Sequence, residues 1–200
     1  MKVLLTVLFC LSMPLIGADK KPLTKKESAK VIETAIRKEL DKPTGELTKA
    51  DCEKITRLNL FNNQLTDVTG LEKLTQLIYL DLSGNQLIDV KGLEKLTQLE
   101  GLELDDNQLT SVKGLETLTQ LKELSLMNNQ LTELPKGLEN LTQLRVLYLD
   151  NNKLTDIKSL EKLTQLTYLR LDGNPDLTKA QIVELQKALP KCKIFSNPKK

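Results

Sequence analysis

The chain has 200 residues, with 29 Lys plus Arg against 27 Asp plus Glu, no His, no Trp, three Tyr and three Phe. Without an imidazole there is no Ser-His-Asp or Cys-His nucleophile pair, no His-ligated zinc and no histidine general base, so only carboxylate or lysine chemistry stays open. A formal charge of +2 sets up no broad field that would collect nucleic acid or an anionic membrane surface.

Residues 1–18 begin with a single cation at Lys2, run apolar from Val3 to Ile16 and end in the small pair Gly17-Ala18 before Asp19-Lys20-Lys21. These three regions describe a secretory signal peptide, with an uncleaved anchor as the competing reading, since the apolar run is shorter than the roughly 20 residues of a spanning helix. Phe9 stands before Cys10 where lipid attachment would need a small residue. The expected product is therefore exported, and no other apolar run is long enough to span a membrane.

Residues 19–54 read as a helical N-terminal cap. Thr24 with Glu27 forms a capping box for a helix running to about Leu40, and Pro43-Thr44-Gly45 breaks it. A short second helix starts at Thr48 with Asp51 at its third position, flanked by Leu47 and Cys52 as a hydrophobic staple.

From Ile55 to Leu177 one template recurs six times, starting at Ile55, Leu77, Leu99, Leu121, Leu144 and Leu166. The steps are 22 residues except for one of 23, where an extra residue enters near Pro135. The template is L-x-x-L-x-L-x-x-N-x-L, followed by a nearly constant tail such as Val68-Thr-Gly-Leu71-Glu-Lys-Leu74-Thr-Gln. Leu58 and Leu60 alternate with Arg57, Asn59 and Phe61, the period of a short strand with leucines on one side and variable residues on the other. The asparagine at the ninth position (Asn63, Asn85, Asn107, Asn129, Asn152, Asn174) brings two donors and an acceptor, and can satisfy backbone groups of adjacent coils. The tail is too short for a full helix and suits a 3₁₀ or irregular turn. No unit can bury its own apolar side, so the units must stack into one continuous core.

Residues 178–200 read as a C-terminal cap. Thr178 with Gln181 opens a helix to about Leu189, and Leu177 with Ile182 repeats the staple. A disguised seventh strand follows, with Leu189, Cys192, Ile194 and Asn197 at the first, fourth, sixth and ninth template positions. Cys52 and Cys192 then lie about six strand spacings of roughly 4.8 Å apart, far beyond the ~7 Å that a disulfide allows between Cα atoms. Both are expected to be reduced and buried.

The repeat is the leucine-rich repeat signature, and from about Thr24 to Asn197 the chain resembles bacterial proteins of the 22-residue class, internalins among them. The resemblance implies an α/β solenoid: a right-handed superhelix with a parallel sheet on its concave side, a 3₁₀ or irregular convex side, and helical caps at both ends. It further implies a protein-recognition surface on the concave face, though fold does not transmit the ligand. Leu189-Pro-Lys-Cys-Lys is not a sorting motif, which departs from surface-anchored internalins, and host-receptor binding is not carried over.

In this class the third, fifth and seventh template positions face the concave side, and all four aromatics of the repeats fall there. Two patches follow. Met127, Val146, Tyr148, Tyr168 and Arg170 form the preferred contact site, with Phe61 and Tyr79 as further aromatic anchors. Tyr and Phe also simply favour strands, and Arg170 has Asp150 or Asp172 as an alternative use. Asp81, Glu103, Asp105, Asp106 and Glu123 form an acidic patch. Glycoside cleavage and Ca²⁺ binding are its chemical readings, and a solvated charged face is the ordinary one. The expectation is a non-enzymatic, monomeric binding module for a protein partner, with no cofactor, no metal and no nucleic acid. A glycan or cell-wall binder is the alternative, weakened by the lack of Trp, and a structural envelope repeat comes third. The sequon Asn140-Leu-Thr142 matters only if the source glycosylates it.

Overall fold

The computed structural model describes residues 21–198, so the leader read at residues 1–18 lies outside the described residues. Helix α1 (Lys25–Glu39) starts at Thr24, whose hydroxyl accepts the Glu27 N–H at 3.3 Å while the Glu27 carboxylate accepts the Thr24 N–H at 2.7 Å. This reciprocal cap satisfies donors that a helix start leaves unpaired. Ile32 and Ile36, one turn apart, are buried against the first coil. Helix α2 (Lys49–Cys52) repeats the device with Thr48 and Asp51, and Asp51 also holds the Lys42 ammonium at 2.7 Å.

Seven three-residue strands follow: β1 (Arg57–Asn59), β2 (Tyr79–Asp81), β3 (Gly101–Glu103), β4 (Glu123–Ser125), β5 (Val146–Tyr148), β6 (Tyr168–Arg170) and β7 (Lys193–Phe195). They pair in chain order as one parallel sheet. The pairing aligns Leu58, Leu80, Leu102, Leu124, Leu147, Leu169 and Ile194 in a single row. Short 3₁₀ turns at Leu71–Lys73, Leu93–Lys95, Leu115–Thr117, Leu138–Asn140 and Lys158–Lys162 return the chain behind the sheet. Four of them begin at a glycine with φ between 91° and 110°, whose N–H donates to the glutamate two residues on, as Gly70 does to Glu72 at 2.6 Å. The left-handed backbone there explains the glycine. The leucines of sheet and turns meet in one unbroken core along the stack.

Each core asparagine clamps its own coil to the one before it. The Asn85 side-chain oxygen accepts the N–H groups of Asn63 (3.1 Å) and Leu65 (2.9 Å), and its amide donates to the carbonyls of Leu60 (2.9 Å) and Leu82 (2.8 Å). Asn107, Asn129, Asn152 and Asn174 repeat the pattern. Asn63 is half-buried and donates only to the Phe61 carbonyl, because no strand precedes β1.

Helix α3 (Lys179–Ala188), capped by Thr178 and Gln181, packs against the last 3₁₀ turn. Strand β7 is present, but its register differs from the sequence expectation by two residues. Ile194 pairs with Leu169, which places it at the fourth template position rather than the sixth. The cause lies in the turn: Cys192 N–H donates to the Leu189 carbonyl at 3.1 Å, as Leu166 does to Leu163 at 2.9 Å. Leu189 and Cys192 thus fill the two leucine places that close a coil before its strand. The shift keeps Ile194 on the inward side of the strand, and Cys192 is buried in the coil-closing place. Asn197 falls outside the ladder and instead accepts the Gly173 N–H at 2.8 Å. Cys52 and Cys192 are both buried free thiols, and burial pushes the Cys192 thiol up to about 11. No helix among the described residues is long and apolar enough to cross a membrane.

Candidate functional site

Strand alternation places two rows of variable side chains on the open face of the sheet. The register gives one row as Arg57, Tyr79, Gly101, Glu123, Val146, Tyr168 and Lys193, and the other as Asn59, Asp81, Glu103, Ser125, Tyr148, Arg170 and Phe195. Two residues beyond the second row stand Phe61, Ser83, Asp105, Met127, Asp150 and Asp172.

At the C-terminal end the rows bring aromatic rings into contact. Tyr148 and Tyr168 have centroids 5.6 Å apart with planes at 56°, and Tyr168 and Phe195 are 5.1 Å apart at 43°. These tilted pairs match the electrostatic preference of aromatic quadrupoles. The Lys193 ammonium lies 4.7 Å over the Phe195 ring. Phe195 and Lys193 were missed by the sequence reading, which assigned this segment to the cap in another register. The signal for them is the Lys193-Ile194-Phe195 alternation itself.

Arg170 is committed to its neighbours. Its Nε donates to Asp150 at 3.0 Å and a terminal nitrogen donates to Asp172 at 3.3 Å, so both alternative partners are engaged at once. Asp150 is buried, and that burial raises its carboxyl above the usual range despite the opposing Arg170 charge. Its second oxygen accepts no hydrogen bond. Val146, Tyr148, Tyr168 and Arg170 share adjacent strands, and Met127 lies just beyond the end of β4. Phe61, exposed by 47%, sits over Gly84 at the other end of the sheet and does not join them.

In the middle, Tyr79 crosses β3 and donates its hydroxyl to Glu103. Gly101 makes the crossing possible, since a Cβ there would lie 2.8 Å from the Tyr79 ring. The Arg57 guanidinium stacks 5.0 Å from the same ring. Burial and the Glu103 carboxylate hold the Tyr79 phenol well above its ordinary range. Burial, with Asp81 and Glu123 nearby, likewise raises Glu103. Burial pushes Asp105 up to about 6, although the Ser125 hydroxyl (2.5 Å) and the Met127 N–H (2.7 Å) donate to it. Asp81 is buried and takes the Asn59 amide at 3.1 Å. Asp106 belongs to the turn after β3, is held by Asn128 at 2.8 Å, and adds its charge beside Asp105. Among the described residues no group of three or more Cys, Asp or Glu is placed to hold a metal ion.

The family model for leucine rich repeats matches residues 119–175, and a second, for two leucine rich repeat copies, matches residues 53–95. Among solved structures, a leucine-rich repeat protein of Leptospira interrogans is 36% identical with a TM-score of 0.68, over 72% of this chain and 38% of that one. An internalin (inlF) of Listeria monocytogenes is 27% identical with a TM-score of 0.64, over 83% of this chain and 55% of its own. Internalin C2 (inlC2) of the same organism is 26% identical with a TM-score of 0.53, over 84% and 92% respectively. The chain therefore spans only about half of inlF and less of the Leptospira protein. A comparison with curated protein sequences gives no match.

Proposed function

Because this chain belongs to the leucine-rich repeat proteins, with bacterial internalin-like repeats, we propose that it is an exported, non-enzymatic module that captures a protein partner on the open face of its sheet. Proteins built on this repeat are protein-interaction modules and typically serve as non-enzymatic scaffolds. The division proposed is a leader at 1–18, a helical cap at 19–54, six repeats at 55–177 and a closing cap at 178–200, acting as a monomer. Export rests on the leader sequence.

The observation that carries the reading is the contiguous ring surface Tyr148, Tyr168 and Phe195 on three neighbouring strands. Rigid aromatics with few rotatable bonds lose little entropy on docking and dominate interface energies. Val146 and Met127 extend the apolar area, while Phe61 and Tyr79 are separate anchors towards the N-terminal end. Arg170 orders this edge of the face through Asp150 and Asp172.

The test is crosslinking in the native envelope or medium, comparing the native chain with a double variant, Tyr148→Ala and Tyr168→Ala. Both rings are only half-buried, so circular dichroism and melting temperature should hold while partner capture falls by about a thousandfold, the loss for two hot-spot residues at about 2 kcal/mol each. Undiminished capture would discard the patch. Arg170→Ala is the wrong probe, because it strands the buried Asp150 charge and confounds binding with stability.

A further inference from the structure

Between the two aromatic regions the open face carries a depression of about 40 Å³ lined by Tyr79, Gly101, Glu103, Glu123, Ser125 and Tyr148. Its origin is the missing side chain at Gly101: the row of third template positions has a gap there, and Tyr79 leans across one side of it. The volume suits the head of a single side chain.

The lining has one chemistry. Two tyrosine rings supply electron-rich faces, two carboxylates supply charge, and no lining residue is a cation. Neither Glu103 nor Glu123 forms an ion pair among the described residues; Glu103 accepts the Tyr79 hydroxyl, whereas Glu100 and Glu139 of the same stack each hold a lysine. The Tyr79 ring already accepts one cation on its other flank, the Arg57 guanidinium from β1. Asp81, on the strand beside Glu103, adds negative potential and contributes to raising the Glu103 carboxyl.

Building on the protein-capture reading above, we propose that this depression receives a lysine or arginine side chain of the partner, clamped by Glu103 and Glu123 between the Tyr79 and Tyr148 rings. The cation would gain two carboxylates and two ring faces in a partly desolvated site, where cation–π attraction is stronger than on open surface. The neighbouring ring surface then takes apolar groups of the same partner, so the recognised segment places a basic residue beside apolar ones.

The test uses the isotope-labelled chain and three small probes: N-acetyl-arginine amide, N-acetyl-lysine amide and uncharged N-acetyl-citrulline amide. Backbone resonances of Gly101, Glu103, Ser125 and Tyr148 are expected to shift saturably with a cationic probe at millimolar concentration and to stay still with citrulline. Whether arginine or lysine binds more tightly identifies the basic residue. Glu123→Gln, a surface change that spares the fold, should weaken the cationic probe by about threefold, as loss of one exposed ion pair does. No saturable shift with either cation, or equal shifts with citrulline, overturns the proposal. Partner capture is scored separately with Tyr168→Ala alone, whose ring lies outside the depression. Silent probes alongside lost capture sink the cation site alone, and responsive probes alongside undiminished capture sink the aromatic patch alone.

Discussion

Asn107 shows how one side chain ties two successive coils together. Its oxygen accepts the Leu87 N–H at 3.0 Å, and its amide donates to the carbonyls of Leu82 (3.0 Å) and Leu104 (3.1 Å), all buried. Asn107→Ala should therefore cost at least about 3 kcal/mol in urea unfolding, since each orphaned buried group costs about 1–3 kcal/mol. Asn107→Asp should not restore it, because a carboxylate accepts but cannot donate to the two carbonyls. Asn63, with its single outward bond, should be the mildest of the series. Asp105 gives a pH signature. Its folded value of about 6 lies above the unfolded 3.8, so its contribution to stability is full below about pH 4 and is lost as pH rises through 6. Asp105→Asn keeps the Ser125 and Met127 hydrogen bonds without the buried charge. It should stabilise the chain at pH 7.5 by up to about 3 kcal/mol and leave it nearly unchanged at pH 4, read as the difference between native and variant unfolding curves at each pH.

At the scale of the element, a strand of three residues is too short to be stable alone and persists because its central leucine is locked between two neighbours. Leu102 is paired on both sides, by Leu80 and Leu124, and is 1% exposed. Leu102→Ala should cost about 3 kcal/mol by lost burial and an unfilled cavity, measured as a lower urea midpoint. The 3₁₀ turns behind the sheet need their glycines for a left-handed backbone and use a glutamate as a local acceptor. The fifth turn lacks the glycine and runs longer, from Lys158 to Lys162, starting at Ile157 with ordinary negative φ. The strand alternation, the turns and all three helix starts are legible in the sequence, because each depends on residues within a few positions of one another. The register of β7 is not, because it depends on how many residues α3 consumes before Leu189 and Cys192 close the coil.

Across the whole molecule each coil touches chiefly its neighbours, so stability accumulates along the stack and the ends need covers. Helix α1 supplies one with Ile32 and Ile36, and α3 with Leu185 and Leu189 supplies the other. The two cysteines among the described residues belong to these opposite ends, Cys52 before β1 and Cys192 before β7, and neither is bridged there. Melting of the chain should accordingly be unchanged by reductant, and the thiols of Cys52 and Cys192 should label only after unfolding. A shift of several degrees with reductant would contradict the linear stack. The same geometry gathers the aromatic row on the open face. Residues 20 to 27 positions apart, such as Tyr148, Tyr168 and Phe195, become neighbours because one turn of the coil brings the chain back by a single strand spacing.

The sequence by itself determined the period, the identity of the inward leucines, the asparagine ladder and the face on which Tyr148, Tyr168 and Tyr79 stand, since a 22-residue repeat with period-two alternation admits one solution. Only the tertiary structure decided how side chains on that face use one another. Arg170 is committed to both Asp150 and Asp172, Tyr79 lies across Gly101 to Glu103, Asp106 is held by Asn128, and Phe195 completes the aromatic row. The reason is physical. Periodicity dictates which way a side chain points, whereas its partner depends on rotamers, burial and the register of the next coil, which are set only when the coils are stacked.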